Sequence, residues 1–198
     1  MKKGIFLILL ASIAAGCANS TISNIPAQYK INAKTQSSLV LGKITFVGIE
    51  PGFGQLLFVL QDAATEQDHP IKIAPARTRQ DERTTDYYYF IELPAGHYSI
   101  REITAVHQTF EIVDAYLLHA NVTIPKSSIV YIGTIKVKNL KHSLNRLAPI
   151  TENEIVDERQ DVSGVFKERY PQFKEARVET KLIDEYELFK EDGIGGKF

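Results

Sequence analysis

The chain is 198 residues long and nearly balanced, with 23 Lys and Arg against 24 Asp and Glu, so it lacks the basic excess of a nucleic-acid binder. A single cysteine excludes a disulfide framework, which needs pairs. No tryptophan and one methionine stand beside plentiful Val, Ile, Thr, Tyr and Phe, a composition that favours strands.

Lys2 and Lys3 open the chain, and an apolar run follows from Ile5 to Ala15. It has the length of a signal-peptide apolar region and is too short for a stable transmembrane helix. The run ends in Ala14-Ala15-Gly16-Cys17. This order resembles the lipobox of bacterial lipoproteins. The resemblance implies cleavage before Cys17, a diacylglycerol thioether on its sulfur and an acylated amine. Two or three chains hold a protein far more firmly than one. Residues 1–16 would then be a signal peptide, and loss of Lys2 and Lys3 takes the formal charge from −1 to about −3. Ala18, where an Asp would imply inner-membrane retention, favours the outer membrane if the host is Gram-negative. An ordinary signal peptide with an incidental cysteine is the alternative.

Residues 17–37 are polar and rich in Ser, Asn and Thr, and read as the lipidated cysteine and a flexible tether. A first strand around Tyr29–Asn32 is the other reading. From residue 38 strand follows strand. LVLGKITFVGI (39–49) and QLLFVLQD (55–62) flank Pro51, Gly52 and Gly54, and read as a hairpin. HPIKIAP (69–75) suits an edge because of its prolines. DYYYFIEL (86–93) and YSIREITAV (98–106) flank Pro94 and Gly96 and read as a second hairpin. TFEIV (109–113), AYLLHANVTI (115–124) and SIVYIGTIKVK (128–138) complete the run. Several of these, such as 55–60, are apolar on both parities, so they need cover beyond one sheet.

The C-terminal segment could supply that cover. Val162, Val165, Phe166 and Tyr170 fall at helical spacing, which predicts one amphipathic helix over 158–169. Asp157 or Asp161 could cap it, Gly164 weakens it and Pro171 stops it. ARVETKLI (176–183) alternates like a last strand, and residues 184–198 form a charged tail. The expected fold is mainly β: an antiparallel β-sandwich of about seven to nine strands over 38–183, with one C-terminal helix.

FIELPAGHYSIREI resembles the L-P-A-G-x-Y turn of transthyretin-like and carboxypeptidase-regulatory-like sandwiches. SIVYIGTIKV and the trailing KERYP resemble small bacterial lipoproteins. These motifs are structural, and the resemblance implies an accessory or binding module with no catalytic residues to carry over. It extends to surface modules locked by a Lys–Asn isopeptide bond beside a buried carboxylate. Lys43, Glu102 and Asn139 each share strand parity with apolar residues and are the candidates for such a triad. That chemistry needs a lysine pKa lowered by burial.

No nucleophile elbow, zinc-protease or P-loop motif is present. His69, His97, His107, His119 and His142 never pair at ligand spacing, and no metal or other cofactor is expected. The loop at 76–86 carries Arg77, Arg79 and Arg83 among Asp81, Glu82 and Asp86. It reads either as a bidentate anion contact or as a self-neutralised surface loop. Tyr88 and Phe90 share one strand face, which is either an exposed aromatic platform or a surface beneath the helix. The expectation is therefore a lipid-anchored, non-catalytic envelope module that contacts the membrane through Cys17 and an envelope protein or glycan elsewhere. The alternative is an envelope ligand binder or enzyme with a site near 76–86.

Overall fold

The computed structural model describes residues 22–31, 36–47, 53–74, 76–79, 84–107, 113–141 and 150–185. The elements, in order, are β1 Ser37–Val47, β2 Phe53–Asp62, β3 Asp68–Ile73, β4 Arg77–Arg79, β5 Thr84–Pro94, β6 Gly96–His107, β7 Val113–Ile124, β8 Ile129–Lys141 and β9 Ile150–Val156. Then come α1 Arg159–Arg169, a 3-10 turn Pro171–Phe173, β10 Glu179–Thr180 and β11 Asp184–Glu185. Among the described residues the protein is mainly β, with one α-helix and two sheets. The first sheet runs β10-β8-β1-β5-β4, with β9 also on β8, and the second runs β11-β7-β6-β2-β3. No helix among the described residues is long and apolar enough to cross a membrane.

Both expected hairpins are corrected. β1 and β2 lie in different sheets, as do β5 and β6. A Pro/Gly step marks a reversal but does not say whether the chain turns within a sheet or passes to another. Pro94 ends β5 because it has no N–H to donate, and the Tyr98 hydroxyl holds the corner by donating to Pro94 O at 2.9 Å. The expected antiparallel order is also corrected in part, since β1 and β8 pair in parallel. The connection read as a loop at 76–86 contains a short edge strand, with Arg77 opposite Asp86 and Arg79 opposite Thr84. β9 was not foreseen. The last strand expected at 176–183 shrinks to Glu179–Thr180 on β8, after which Asp184–Glu185 joins β7 in the other sheet. The proposed strand TFEIV lies mostly outside the described residues.

β2 and β3 form a true hairpin. Asp62 sets its turn by accepting from the Ala64 and Thr65 N–H groups at 2.8 and 2.9 Å. These backbone donors hold the Asp62 carboxyl below its usual range.

One cluster of buried residues draws on both sheets: Val40, Ile44 and Phe46 of β1, Tyr87, Tyr89 and Ile91 of β5, and Leu56, Phe58 and Ile103 of the second sheet. A second cluster lies on the other face of the first sheet, where Leu39, Leu41, Tyr88, Phe90 and Tyr131 meet Val162, Phe166, Tyr170 and Phe173. β1 is therefore apolar on both parities because it is covered on both faces. A bulge switches phase in β8: Leu41 faces Tyr131 but Lys43 faces Thr134, with Gly133 at φ +121°. It lets Ile132 and Ile135 both enter the first cluster while Tyr131 and Thr134 share the outer side, their hydroxyls 3.2 Å apart.

Candidate functional site

α1 starts one residue after the expected position and ends two residues before Pro171, and its N-cap is Glu158, which makes no side-chain cap hydrogen bond, rather than Asp157 or Asp161. Val162 and Phe166 are buried at i, i+4 spacing, and Tyr170 continues the line. Its start is held from the sheet: the Tyr131 hydroxyl accepts the Glu158 N–H at 2.8 Å, and Asp157 Oδ1 accepts the Arg159 N–H at 3.0 Å. Beneath this first turn lies Lys43, one alternation beyond Leu41 on β1.

Lys43 is 4% exposed, and its Nζ lies 2.6 Å from Glu158 Oε2 and 2.7 Å from Asp161 Oδ2. The amine also sits 5.4 Å over the Tyr88 ring, whose hydroxyl donates to Asp161 Oδ2 at 2.9 Å. Lys136 Nζ reaches the other Glu158 oxygen at 2.8 Å, and Lys138 pairs Glu154 at 2.8 Å. On the sheet below, the Thr45 hydroxyl donates to the buried Asp86 at 2.8 Å. Two adjoining clefts of about 520 and 420 Å³ open over this network and share Lys43 and Glu158.

Burial pulls the Lys43 amine down, but the hydrogen bonds it donates to Asp161 and Glu158, aided by the charge of Asp86, outweigh it and leave the pKa above its ordinary value. Burial pushes Glu158 up, but Lys136 and Lys43 hold its carboxyl below the usual range. Burial and the Asp161 carboxylate push the Tyr88 hydroxyl up. Each shift strengthens the charge state already present at neutral pH. Chemically the arrangement is a clamp: carboxylates at the helix start, where the macrodipole also favours them, gripping a sheet lysine.

The isopeptide triad is not assembled. Lys43 is opposite Thr134 on β8, whereas Asn139 lies five residues further along that strand, and Glu102 is in the second sheet opposite Val59 and Leu117. A bulge between Ile100 and Glu102 breaks the alternation on which Glu102 was chosen. The Lys43 pKa is raised rather than lowered, which is the wrong direction for a nucleophilic amine. The aromatic platform is likewise corrected: Tyr88 and Phe90 are 3% and 0% exposed. Phe90 lies 5.4 Å from the Phe166 ring and 5.7 Å from Tyr170, so the aromatic face is the seat of α1. Arg77 and Arg79 sit on edge strand β4, while Arg83 and Cys17 lie outside the described residues. Among the described residues no group of three or more His, Cys, Asp and Glu could hold a metal.

The tether expectation changes as well. Ile22 bridges Ile71 in parallel, its N–H donating to Pro70 O at 2.8 Å and its carbonyl accepting from Lys72 at 2.9 Å. Asn24 Oδ1 accepts the Phe90 N–H at 2.6 Å, and the Tyr170 hydroxyl donates to Ile25 O at 2.8 Å. Ile25 is buried and Gln172 Nε2 reaches Ala27 O at 2.8 Å. Residues 22–29 are thus a strap between β3, β5 and the helical segment. The isolated Ile22, Ile25 and Tyr29 in a polar run are the signal that could have shown it. Glu158, Asp161 and Asp86 were missed as partners of Lys43 because their pairing joins positions up to 118 residues apart.

No family model matches the chain, and no curated protein matches it. A leucine-rich repeat protein from Bacteroides thetaiotaomicron is similar over 55% of this chain and 14% of its own, with 11% identity and a TM-score of 0.41. A candidate cell adhesion protein from Parabacteroides distasonis is similar over 61% and 37%, with 10% identity and a TM-score of 0.37. The chain thus spans well under two thirds of either, and these likenesses carry no argument.

Proposed function

We propose that this protein is a lipid-anchored, non-catalytic accessory module of the bacterial envelope, with its sheets stacked as a β-sandwich and Cys17 as the lipid attachment site. The anchor rests on the basic start, the short apolar run and the A-A-G-C order. The sandwich reading is supported by a buried cluster to which both sheets contribute among the described residues. The transthyretin-like likeness belongs to this reading, with the L-P-A-G-x-Y stretch serving as the step between sheets. Ala18 favours the outer membrane in a Gram-negative host.

The observation that carries the non-catalytic reading is the electrostatics of the cleft. A general acid or base works best with a pKa near the operating pH. Here Lys43 and Tyr88 are driven up and Glu158 down, and the lysines are paired with carboxylates. The cleft fixes a helix rather than poising a proton. The partner is an envelope protein or glycan, kept at high local concentration by the anchor.

Crosslinking in the native envelope tests this, comparing the natural chain with Cys17→Ser. The expected result is one reproducible partner that the natural chain captures and the released variant does not. Turnover of a cell-wall substrate by the purified protein, with no such partner, overturns the reading.

A further inference from the structure

We infer that the smaller of the two clefts binds a neutral saccharide. This deepens the reading above by choosing the glycan as the partner, and it rests on that reading.

α1 covers only part of the outer face of the first sheet. Along β1 that face reads Leu39, Leu41, Lys43, Thr45 and Val47, and only the first two belong to the cluster beneath the helix. Along β5 Phe90 and Tyr88 give way to Asp86 and Thr84, and along β8 Tyr131 gives way to Thr134, Lys136 and Lys138. The three strands turn polar together, at the row where Lys43 stands opposite Tyr88 and Thr134. The cleft of about 420 Å³ opens beyond that row, a size suited to a small ligand. Its floor is recessed: Lys43, Thr45 and Thr84 line it and are 4%, 3% and 4% exposed. Its rim, made by Lys136, Lys138, Glu154 and Glu158, is partly open to solvent.

The charges select the ligand. Lys136 and Lys138 each meet a rim carboxylate at 2.8 Å, and Lys43 meets Glu158 from the floor at 2.6 Å. Asp86, buried beside Thr45, adds a further negative charge near Lys43. An anion entering here must draw a lysine from its carboxylate, and a cation must draw a carboxylate from its lysine. Either leaves a partly buried charge unpaired, which is costly. A sugar hydroxyl does neither, because it accepts from an ammonium and donates to a carboxylate at once. Hydrogen bonds of this kind, to charged groups, are roughly twice as strong as neutral ones. An ammonium carries three donors, and Lys136 gives one to Glu158. Val47, half-buried in the same cleft, offers an apolar contact to a ring face. No aromatic ring lines the cleft among the described residues, so the affinity is weak, on the order of millimolar.

The test is saturation-transfer NMR on the full chain in zwitterionic detergent micelles. The probes are maltotriose, mannotriose and triacetylchitotriose at millimolar concentration. The expected result is transfer to the ring protons of at least one of them, undiminished by inorganic phosphate or glucuronate. Lys138→Met and Thr84→Val, both away from the helix clamp and each shown to be folded by circular dichroism, should weaken that transfer several-fold. No transfer to any of the three sugars, transfer unchanged in both variants, or displacement by phosphate overturns the saccharide site. An envelope protein captured by crosslinking, with no transfer to the sugars, overturns the site and leaves the accessory module standing. Hydrolysis of a probe overturns both.

Discussion

At the scale of single residues, Lys43 decides whether α1 is gripped. Truncating one partner of a buried ion pair leaves uncompensated charge, which costs about 3–5 kcal/mol when both partners are deeply buried. Glu158 and Asp161 are 27% and 40% exposed, so solvent takes up part of that loss. Lys43→Met should therefore destabilise by about 1–2 kcal/mol in urea unfolding. The pH dependence follows from the shifts. Glu158 is held below its ordinary value of 4.5, so its contribution is present above that pH and lost as pH falls through the folded-state value. Lys43 is held above its ordinary 10.5, so its contribution is complete below that pH and lost as pH rises through the folded-state value. Glu158→Gln should flatten the acid limb of the urea midpoint against pH and leave the plateau near neutrality lower. The Tyr89 hydroxyl makes no hydrogen bond among the described residues although the side chain is fully buried. Tyr89→Phe removes that unsatisfied group and should raise stability by about 1 kcal/mol, read from the same unfolding curves.

At the scale of elements, α1 has one correctable weakness. Gly164 is exposed in the helix interior, and a Cβ there would meet nothing within 4 Å. Gly164→Ala should stabilise by about 0.5–1 kcal/mol, measured as a higher urea midpoint with unchanged slope. The helix itself was legible in the sequence because Val162, Phe166 and Tyr170 repeat at its own period. The long strands were legible from their apolar runs. Their partners were not. Pro94–Gly96 announces a turn, yet whether β6 falls beside β5 or crosses to the other sheet depends on which faces must be covered. Strand parity also failed where bulges intervene: the register shift between Ile100 and Glu102 breaks a count by twos from Ile100. The clamp was half visible, as a lysine of apolar parity and a run of acids opening a helix. Joining the two required knowing that the helix returns to β1.

At the scale of the whole molecule, the two terminal segments lace the sheets together. Ile22 binds the β3 edge while Ile25 and Asn24 bind β5, which closes one side. On the other, Lys181 and Ile183 donate to Tyr131 and Ile132 of β8 at 2.9 and 2.8 Å before Asp184 reaches β7. The edges of β3 and β8 are covered in this way, which limits unwanted strand pairing. Function at this scale begins with where the chain is held. The most direct measurement is the mass of the mature N-terminus taken from the envelope fraction. The account predicts a chain beginning at Cys17 that carries a thioether-linked diacylglycerol and an acylated amine. A free thiol at position 17, or cleavage at another bond, would contradict it.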